Sequence, residues 1–147
     1  MVYALSPRGE ELGPALDALS RWGAGGMRTP REGEIVTTAS IVSSFRVAAG
    51  DGIIPRSWKT AYTVRVGDIE VHVLMRDGAI TVGPGPAEAP DLVITAGPQI
   101  RDVMAGELDA DTAIATGVVQ LEGDASLFPR FAERMHVPYS PNVPAVA

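Results

Sequence analysis

The sequence predicts an α+β fold, because segments that alternate like strands are grouped in the chain and segments with helical spacing surround them. Three short segments between residues 60 and 82 alternate apolar and polar side chains with a period of two. Two further apolar segments, rich in β-branched residues, lie between residues 91 and 122. Apolar stripes at helical spacing precede and follow these five segments.

The three alternating segments predict an antiparallel meander. Apolar and polar residues alternate over Thr60–Val66 and Ile69–Arg76, and the pattern resumes at residues 80–82. Gly67-Asp68 and Asp77-Gly78 separate the segments and are typical of tight hairpin turns. A meander with this alternation should have one buried and one wet face.

The stretch from Pro90 to Asp124 predicts a strand, two short helices and a second strand. The apolar segment Asp91–Thr95 indicates a buried strand. Pro98 then suits the first position of a helix, because proline has no N–H to leave unpaired there. Gly117 ends the second helix, and Val118–Glu122 forms the last strand.

A helix is predicted near the start of the chain. Tyr3-Ala4-Leu5 fits the end of a strand, and Ser6-Pro7 fits an N-cap followed by a proline in the first turn. Apolar residues then recur at helical spacing: Leu12, Ala15, Leu16, Leu19 and Trp22. Pro14 lies inside this stripe and removes one backbone hydrogen bond, so we expect a kink there.

Two further helices flank the strands. Residues 35–38 favour a strand by propensity, but apolar spacing that persists over Ile35–Ala49 predicts a helix. The last helix should run from about Asp124 or Ser126 to Met135.

Composition divides the chain into four parts. Residues 1–26 hold the first helix, residues 27–34 are a polar linker, residues 35–137 form the folded domain, and residues 138–147 form a proline-rich tail.

Overall composition excludes several function classes. The 147 residues carry a net charge of −6, which argues against binding of a phosphate backbone. The chain has no cysteine, so disulfides and thiolate chemistry are absent. No apolar run approaches the roughly 20 residues of a membrane span, and no export leader opens the chain. We therefore expect a cytoplasmic protein.

Residues that could carry chemistry are few. His72 lies on the polar side of a strand and His136 at a helix end, where it complements the carbonyl dipole. Asp109 and Asp111 are better placed as helix caps than as metal ligands, because no third oxygen-rich position accompanies them. We expect no catalytic residue, metal or cofactor, and hence no enzyme.

Three features together resemble the sterol-carrier-protein lipid-binding domain. They are the Asp-led strand Asp91–Thr95, the helix ending in residues 104–108, and the strand exit Glu122-Gly123-Asp124. The resemblance covers about Lys59 to Met135. It implies a small α+β domain with a five-stranded, mostly antiparallel sheet. It also implies helices on one face of this sheet, enclosing an apolar tunnel for fatty-acyl or sterol-like ligands.

Apolar residues carry the binding hypothesis. Seven of them are predicted to contact a ligand: Phe45, Met75, Ile100, Met104, Phe128, Phe131 and Met135. Methionine and phenylalanine suit an adaptable lipid pocket, since methionine is flexible and polarizable. The same residues could equally fill a solid core, and the sequence alone leaves both alternatives open.

The segment from about Val2 to Gly23 resembles the wing exit and final helix of HxlR-type winged-helix transcription regulators. In that family this helix packs across a dimer interface, which implies that Leu12, Leu16 and Leu19 form one here. A recognition helix should precede the wing, and no residue precedes Met1. We therefore expect a fragment of a longer regulator and no nucleic-acid binding by this chain alone. The alternative is that the helix simply closes the lipid domain.

The resulting hypothesis is an apolar-ligand sensor of a winged-helix regulator. It would bind a fatty acid or a similar apolar small molecule and form a homodimer. The alternatives are a free-standing lipid carrier and an accessory or dimerisation domain of an enzyme, because related domains close some alkylsulfatases and acetyltransferases.

Overall fold

A computed structural model describes residues 4–24 and 35–137 of the chain. The helices in these parts are α1 (Pro7–Glu10), α2 (Gly13–Ala24), α3 (Thr38–Ala49), α4 (Ile100–Met104), α5 (Ala110–Ala115) and α6 (Phe128–Arg134). The strands are β1 (Thr60–Val66), β2 (Ile69–Arg76), β3 (Ala79–Pro84), β4 (Leu92–Ala96) and β5 (Val119–Gly123). The predicted linker 27–34 and tail 138–147 lie outside the described residues.

The five strands form one mixed sheet in the order β3-β2-β1-β4-β5. Strands β1 and β4 are parallel, with Tyr62 beside Leu92, and the other three pairs are antiparallel. The predicted α+β class with a mostly antiparallel five-stranded sheet is therefore confirmed. Strand β3 is an edge strand of this sheet and pairs with β2, and an isolated bridge joins Ala79 at its start to Ile53.

One face of the sheet is buried beneath helices. The register aligns apolar side chains across the strands, and the following are fully buried: Tyr62, Val64, Val71, Val73, Met75, Leu92 and Ile94. Helix α3 contacts β2 and β3, α5 contacts β5, and α6 contacts α4 and α5. These helices and this face of the sheet share one hydrophobic core.

The opposite face of the sheet is more polar and more accessible. The Arg65 guanidinium forms ion pairs with Glu70 at 2.8 Å and Glu122 at 3.5 Å. Thr63 is buried on this face, and its hydroxyl oxygen accepts a hydrogen bond from the Ala87 N–H at 3.0 Å. The loop after β3 thus covers part of the face that the alternation predicts to be wet.

The hairpin between β2 and β3 has the predicted turn. Asp77 and Gly78 both adopt positive φ, at 57° and 83°. This is the backbone that two-residue hairpins require, because it matches the twist of the paired strands.

Helix α3 is shorter than the predicted helix over Ile35–Ala49. Thr37 and Ser40 form a capping box, in which each side-chain oxygen accepts from the other residue's N–H, at 3.1 and 3.0 Å. This box starts the helix at Thr38, because it satisfies the first free N–H groups. Residues 35–37 are therefore outside the helix, and Ile35 is exposed.

The N-terminal helix is broken where a kink is predicted. The Ser6 hydroxyl oxygen accepts from the Gly9 N–H at 3.2 Å and caps α1, as expected. The chain then leaves helical geometry at residues 11–12, and Pro14 lies in the first turn of α2. A proline in a first turn costs no hydrogen bond, so two helices replace one kinked helix. Leu5 is not in a strand, and Tyr3 lies outside the described residues.

The later elements follow the predicted order with small shifts. Pro98 and Gln99 form a turn, so α4 begins at Ile100, two residues after the predicted start. The Asp124 carboxylate caps one 3-10 turn, which leads into α6 with Pro129 in its first turn.

Candidate ligand-binding site

The seven residues predicted to contact a ligand lie together in the buried core. Each of them is at most 5% exposed: Phe45, Met75, Ile100, Met104, Phe128, Phe131 and Met135. Phe131 is the centre of an aromatic cluster, with its ring centroid 5.2 Å from that of Tyr62 and 6.2 Å from those of Phe45 and Phe128. The structure thus brings all seven into one core, and their contact with a ligand stays a prediction.

Tyr62 is the polar member of this cluster. Its hydroxyl donates to the carbonyl oxygen of Leu127 at 3.2 Å, which ties β1 to the turn before α6. Burial raises the pKa of Tyr62 to about 12, because the phenolate would lose its hydration inside the core. The hydroxyl is therefore a hydrogen-bond donor that stays neutral at physiological pH.

A half-open cleft of about 740 Å³ lies between α3 and the edge strand β3, beside the core. Its volume is within the range of about 300–1,000 Å³ that small-molecule sites occupy. Apolar walls come from Ala39, Val42, Val47, Ala49, Ile80, Val82 and Pro84. Polar groups come from Ser20, Thr38, Ser43, Arg46, Asp51 and Thr81.

The cleft lies beside the hydrophobic core and shares residues with it. Its α3 residues at positions 38, 39, 42, 43, 46 and 47 share one helical face. Val42, Ala49 and Val82 belong both to the cleft and to the core cluster. A ligand in the cleft would therefore lie against apolar side chains that also stabilise the fold.

Arg46 is the cation of the cleft. Its Nε and Nη2 donate to the carbonyl oxygen of Val82 at 3.4 and 3.3 Å, across the gap between α3 and β3. Among the side chains that the structure describes, no carboxylate forms an ion pair with Arg46. The Asp51 carboxylate accepts a hydrogen bond from the Ile53 N–H at 3.0 Å, and its Oδ1 lies 4.0 Å from Nη2 of Arg134.

Of the three residues predicted to form a dimer interface, Leu16 and Leu19 lie on α2 and Leu12 lies in the turn just before it. Leu12, Leu16, Leu19 and Trp22 are 58%, 57%, 62% and 83% exposed, so the single chain leaves this stripe uncovered. Helix α2 contacts α3, and Ser20 forms part of the cleft wall. The apolar stripe and the cleft are thus connected through one helix.

Asp109 caps α5, as its position predicts. Its carboxylate accepts from the N–H of Thr112 at 2.9 Å and from the hydroxyl of Thr112 at 2.7 Å. The hydroxyl bond, followed by the backbone bond, lowers the pKa of Asp109. In residues 4–24 and 35–137, no three His, Asp or Glu side chains are grouped as metal ligands would be.

None of the helices in the described ranges has the length and apolar character required to cross a membrane.

The central part of the chain matches a known protein family. A model of the SCP-2 sterol transfer family matches residues 56–135, which is more than half of the 147 residues. The chain belongs to the SCP-2 sterol transfer family. The match extends from the loop before β1 to Met135 after α6, so it contains the whole sheet of this SCP-2 domain. No curated protein matches the chain.

Solved structures share the SCP-2 fold at low sequence identity. The solution structure of palmitated SCP2L2 from Aedes aegypti is 20% identical, with a TM-score of 0.54 over 71% of this chain and 99% of that one. The stereoselective inverting sec-alkylsulfatase Pisa1 from Pseudomonas sp. is 21% identical, with a TM-score of 0.54 over 78% of this chain. This chain covers only 19% of the sulfatase.

A third structure, the ubiquinone synthesis protein UbiJ-SCP2, is 16% identical with a TM-score of 0.52, over 69% of this chain and 93% of that one. At these identities the likeness shows the fold. The resemblance to sterol-carrier domains is confirmed, whereas the winged-helix resemblance of the N-terminal segment stays a prediction.

Sequence reasoning missed the cleft and Arg46. The sequence of α3 contained a sign of the cleft, because one face of this helix mixes small, polar and basic residues with valines. These residues are at positions 38, 39, 42, 43, 46 and 47. Such a face is typical of any solvated helix. Only the position of β3 beside it turns the face into a cleft wall.

Proposed function

We propose that this SCP-2 domain binds a fatty-acyl or sterol-like molecule, without catalysis, in the cleft between α3 and β3. The observation that carries the proposal is the cleft of about 740 Å³ with apolar walls, in a member of a sterol transfer family. Burial of apolar ligand surface against these walls would supply about 25 cal/mol per Å². The palmitated SCP2L2 structure suggests palmitate as the first probe.

The test is a titration of delipidated protein with palmitate, 1-hexadecanol and cholesterol, followed by native mass spectrometry. We expect saturable binding of at least one probe, with a Kd in the micromolar range. If none of the three probes binds saturably, the proposal is wrong.

A substitution locates the site. Ala39 is exposed and lines the cleft, so Ala39→Glu should weaken binding of every acyl probe about tenfold without unfolding α3. Ala115→Glu is the matched control, because Ala115 is an exposed helical residue of α5 outside the cleft. Equal ligand affinities for the two variants would show that the ligand binds outside the cleft.

We further propose that the domain is the ligand-sensing part of a cytoplasmic winged-helix regulator. The supporting observations are the capped α1, the exposed stripe of α2 and the contact of α2 with α3. Ligand in the cleft would bias the position of α2, and α2 would pair with a second copy in a homodimer. The chain alone, with a net charge of −6, would not bind DNA.

A free-standing lipid carrier is the second candidate, supported by the 99% coverage of the SCP2L2 chain. An accessory domain of an enzyme is the third, supported by the match to 19% of the alkylsulfatase. The reading frame upstream of this chain separates the three. A helix-turn-helix segment in that frame supports the regulator, and a sulfatase or transferase segment supports the enzyme.

A further inference from the structure

The cleft contains a positively charged side chain, which a purely apolar ligand could not engage by an ion pair or a hydrogen bond. Arg46 extends from α3 toward β3, and its hydrogen-bond partner within the described residues is the neutral carbonyl of Val82. Both distances, 3.3 and 3.4 Å, are longer than the common N–H···O distance of about 2.9–3.0 Å. A guanidinium held by one long, neutral contact retains donors for an anionic ligand.

The two charged side chains of the cleft, Arg46 and Asp51, lie at different positions along it. Arg46 lies beside Val82, and the Ile80 N–H donates to the Gly52 carbonyl oxygen at 2.8 Å, so α3 and β3 run in opposite directions. Ala39, Val42 and Pro84 therefore lie on one side of Arg46. Asp51 lies on the other side, beyond the end of α3.

This arrangement selects both the charge and the direction of a bound amphiphile. An anion placed beside Asp51 would be repelled, whereas beside Arg46 it would gain charge-assisted hydrogen bonds. An acyl chain that starts at Arg46 and runs toward Ala39 would lie against Ala39, Val42 and Pro84, and it would pass the hydroxyls of Ser43 and Thr38. From Arg46 to Ala39, α3 rises about 1.5 Å per residue.

We infer that the cleft binds a single-chain amphiphile with an anionic headgroup, and that Arg46 contacts this headgroup while the chain lies along Ala39, Val42 and Pro84. This inference rests on the proposed lipid-binding function and adds the ligand class, the orientation and the residue that determines specificity. Fatty-acid anions are favoured over fatty alcohols and over sterols with a neutral hydroxyl.

The test compares palmitate with 1-hexadecanol, which has the same chain length and a neutral headgroup. Four proteins are titrated: wild type, Arg46→Gln, Arg46→Lys and Arg76→Gln. Arg76 is the matched control, because it is an exposed arginine of β2 outside the cleft and its substitution removes the same charge. Thermal denaturation of each protein shows whether the fold is retained.

We expect Arg46→Gln to bind palmitate at least tenfold more weakly, about 1.4 kcal/mol, and to bind 1-hexadecanol as wild type does. Arg46→Lys should recover most of the palmitate affinity, because it keeps the charge. Arg76→Gln should leave both affinities unchanged. Added salt should weaken palmitate binding and not 1-hexadecanol binding.

Three results would overturn the inference, and they separate it from the proposed function. Equal palmitate affinity in wild type and Arg46→Gln leaves lipid binding intact but removes the headgroup role of Arg46. Equal losses for palmitate and 1-hexadecanol in a folded Arg46→Gln show that Arg46 only shapes the cleft. If wild type binds neither probe, the proposed function fails together with the inference.

Discussion

Met104 shows, at the scale of one residue, how the predicted ligand contacts can be tested by substitution. It lies on α4 and is 5% exposed, and its carbonyl oxygen accepts from the Val137 N–H at 2.9 Å. Its side chain belongs to the core cluster, and the cleft lining does not contain it. A methionine in a packed core and one beside a cavity have the same sequence signature, but they respond differently to a larger side chain.

Met104→Trp should therefore cost about 1–3 kcal/mol of folding free energy, because it overpacks the core. Palmitate affinity should not change. A denaturant titration and a palmitate titration on the same protein measure both quantities, and Met104→Leu is the volume-conserving control. Retained stability together with a tenfold loss of affinity would instead show that the seven buried residues border a cavity.

Tyr62 makes the free energy of unfolding depend on pH in the alkaline range. Its pKa is about 12 in the folded chain against 10.0 for the free side chain, so the unfolded chain releases this proton first. The Tyr62 contribution to stability is thus fully present below pH 10 and is lost as the pH rises from 10 toward 12. Urea midpoints measured across this window should fall more steeply for wild type than for Tyr62→Phe. Parallel curves would contradict the raised pKa.

At the scale of elements, one glycine controls how β5 leaves the sheet. Gly123 has a φ of 109°, and a side chain there would collide with the backbone carbonyl of Asp91. The Asp91 carboxylate accepts from the Ala61 N–H at 2.8 Å, and the Asp91 carbonyl accepts from the Asp124 N–H at 3.0 Å. Asp91 thus connects β1, the start of β4 and the exit of β5, and Gly123 allows this close approach.

Gly117 provides the matched comparison, since its φ is also positive at 73° but no atom lies within 4 Å of an added Cβ. Gly117→Ala should cost about 1 kcal/mol from backbone strain alone. Gly123→Ala should cost about 3 kcal/mol, because the strands must also separate. Thermal denaturation of both variants measures the difference, and equal losses would mean that the contact at Asp91 is unimportant.

At the scale of the whole molecule, the uncovered stripe of α2 predicts a homodimer. Leu16 is 57% exposed in the single chain, so Leu16→Glu should leave the isolated fold intact, within about 0.5 kcal/mol. In a dimer that buries this stripe, the same charge should produce folded monomer. Sedimentation velocity measures the assembly, and circular dichroism measures the fold.

Ala18→Glu is the control for this experiment, because Ala18 is exposed and lies on the opposite side of α2 from Leu16. It should remain dimeric. A monomeric wild type that Leu16→Glu unfolds would show that the helix packs within its own domain, and the sensor proposal would lose its structural support.

Local chemistry made much of the fold predictable from the sequence. Period-two alternation and the Asp77-Gly78 turn predict the β2–β3 hairpin, because a strand has two faces and a two-residue turn needs positive φ. Helix α3 was predicted three residues too long, since the Thr37–Ser40 capping box is a mutual contact that apolar spacing does not report. Pro14 was assigned to a kink because the pattern does not show where a helix restarts.

The candidate site was less predictable, because burial and cavity formation depend on residues distant in sequence. By itself the sequence determined the α+β class, the five strands, a cap at Asp109 or Asp111, and the seven apolar residues that gather in the core. Only the tertiary structure decided that those seven share one core with Tyr62 and that a cleft lies between α3 and β3. The reason is that a cleft exists only between elements, and Arg46 and Val82 are 36 residues apart along the chain.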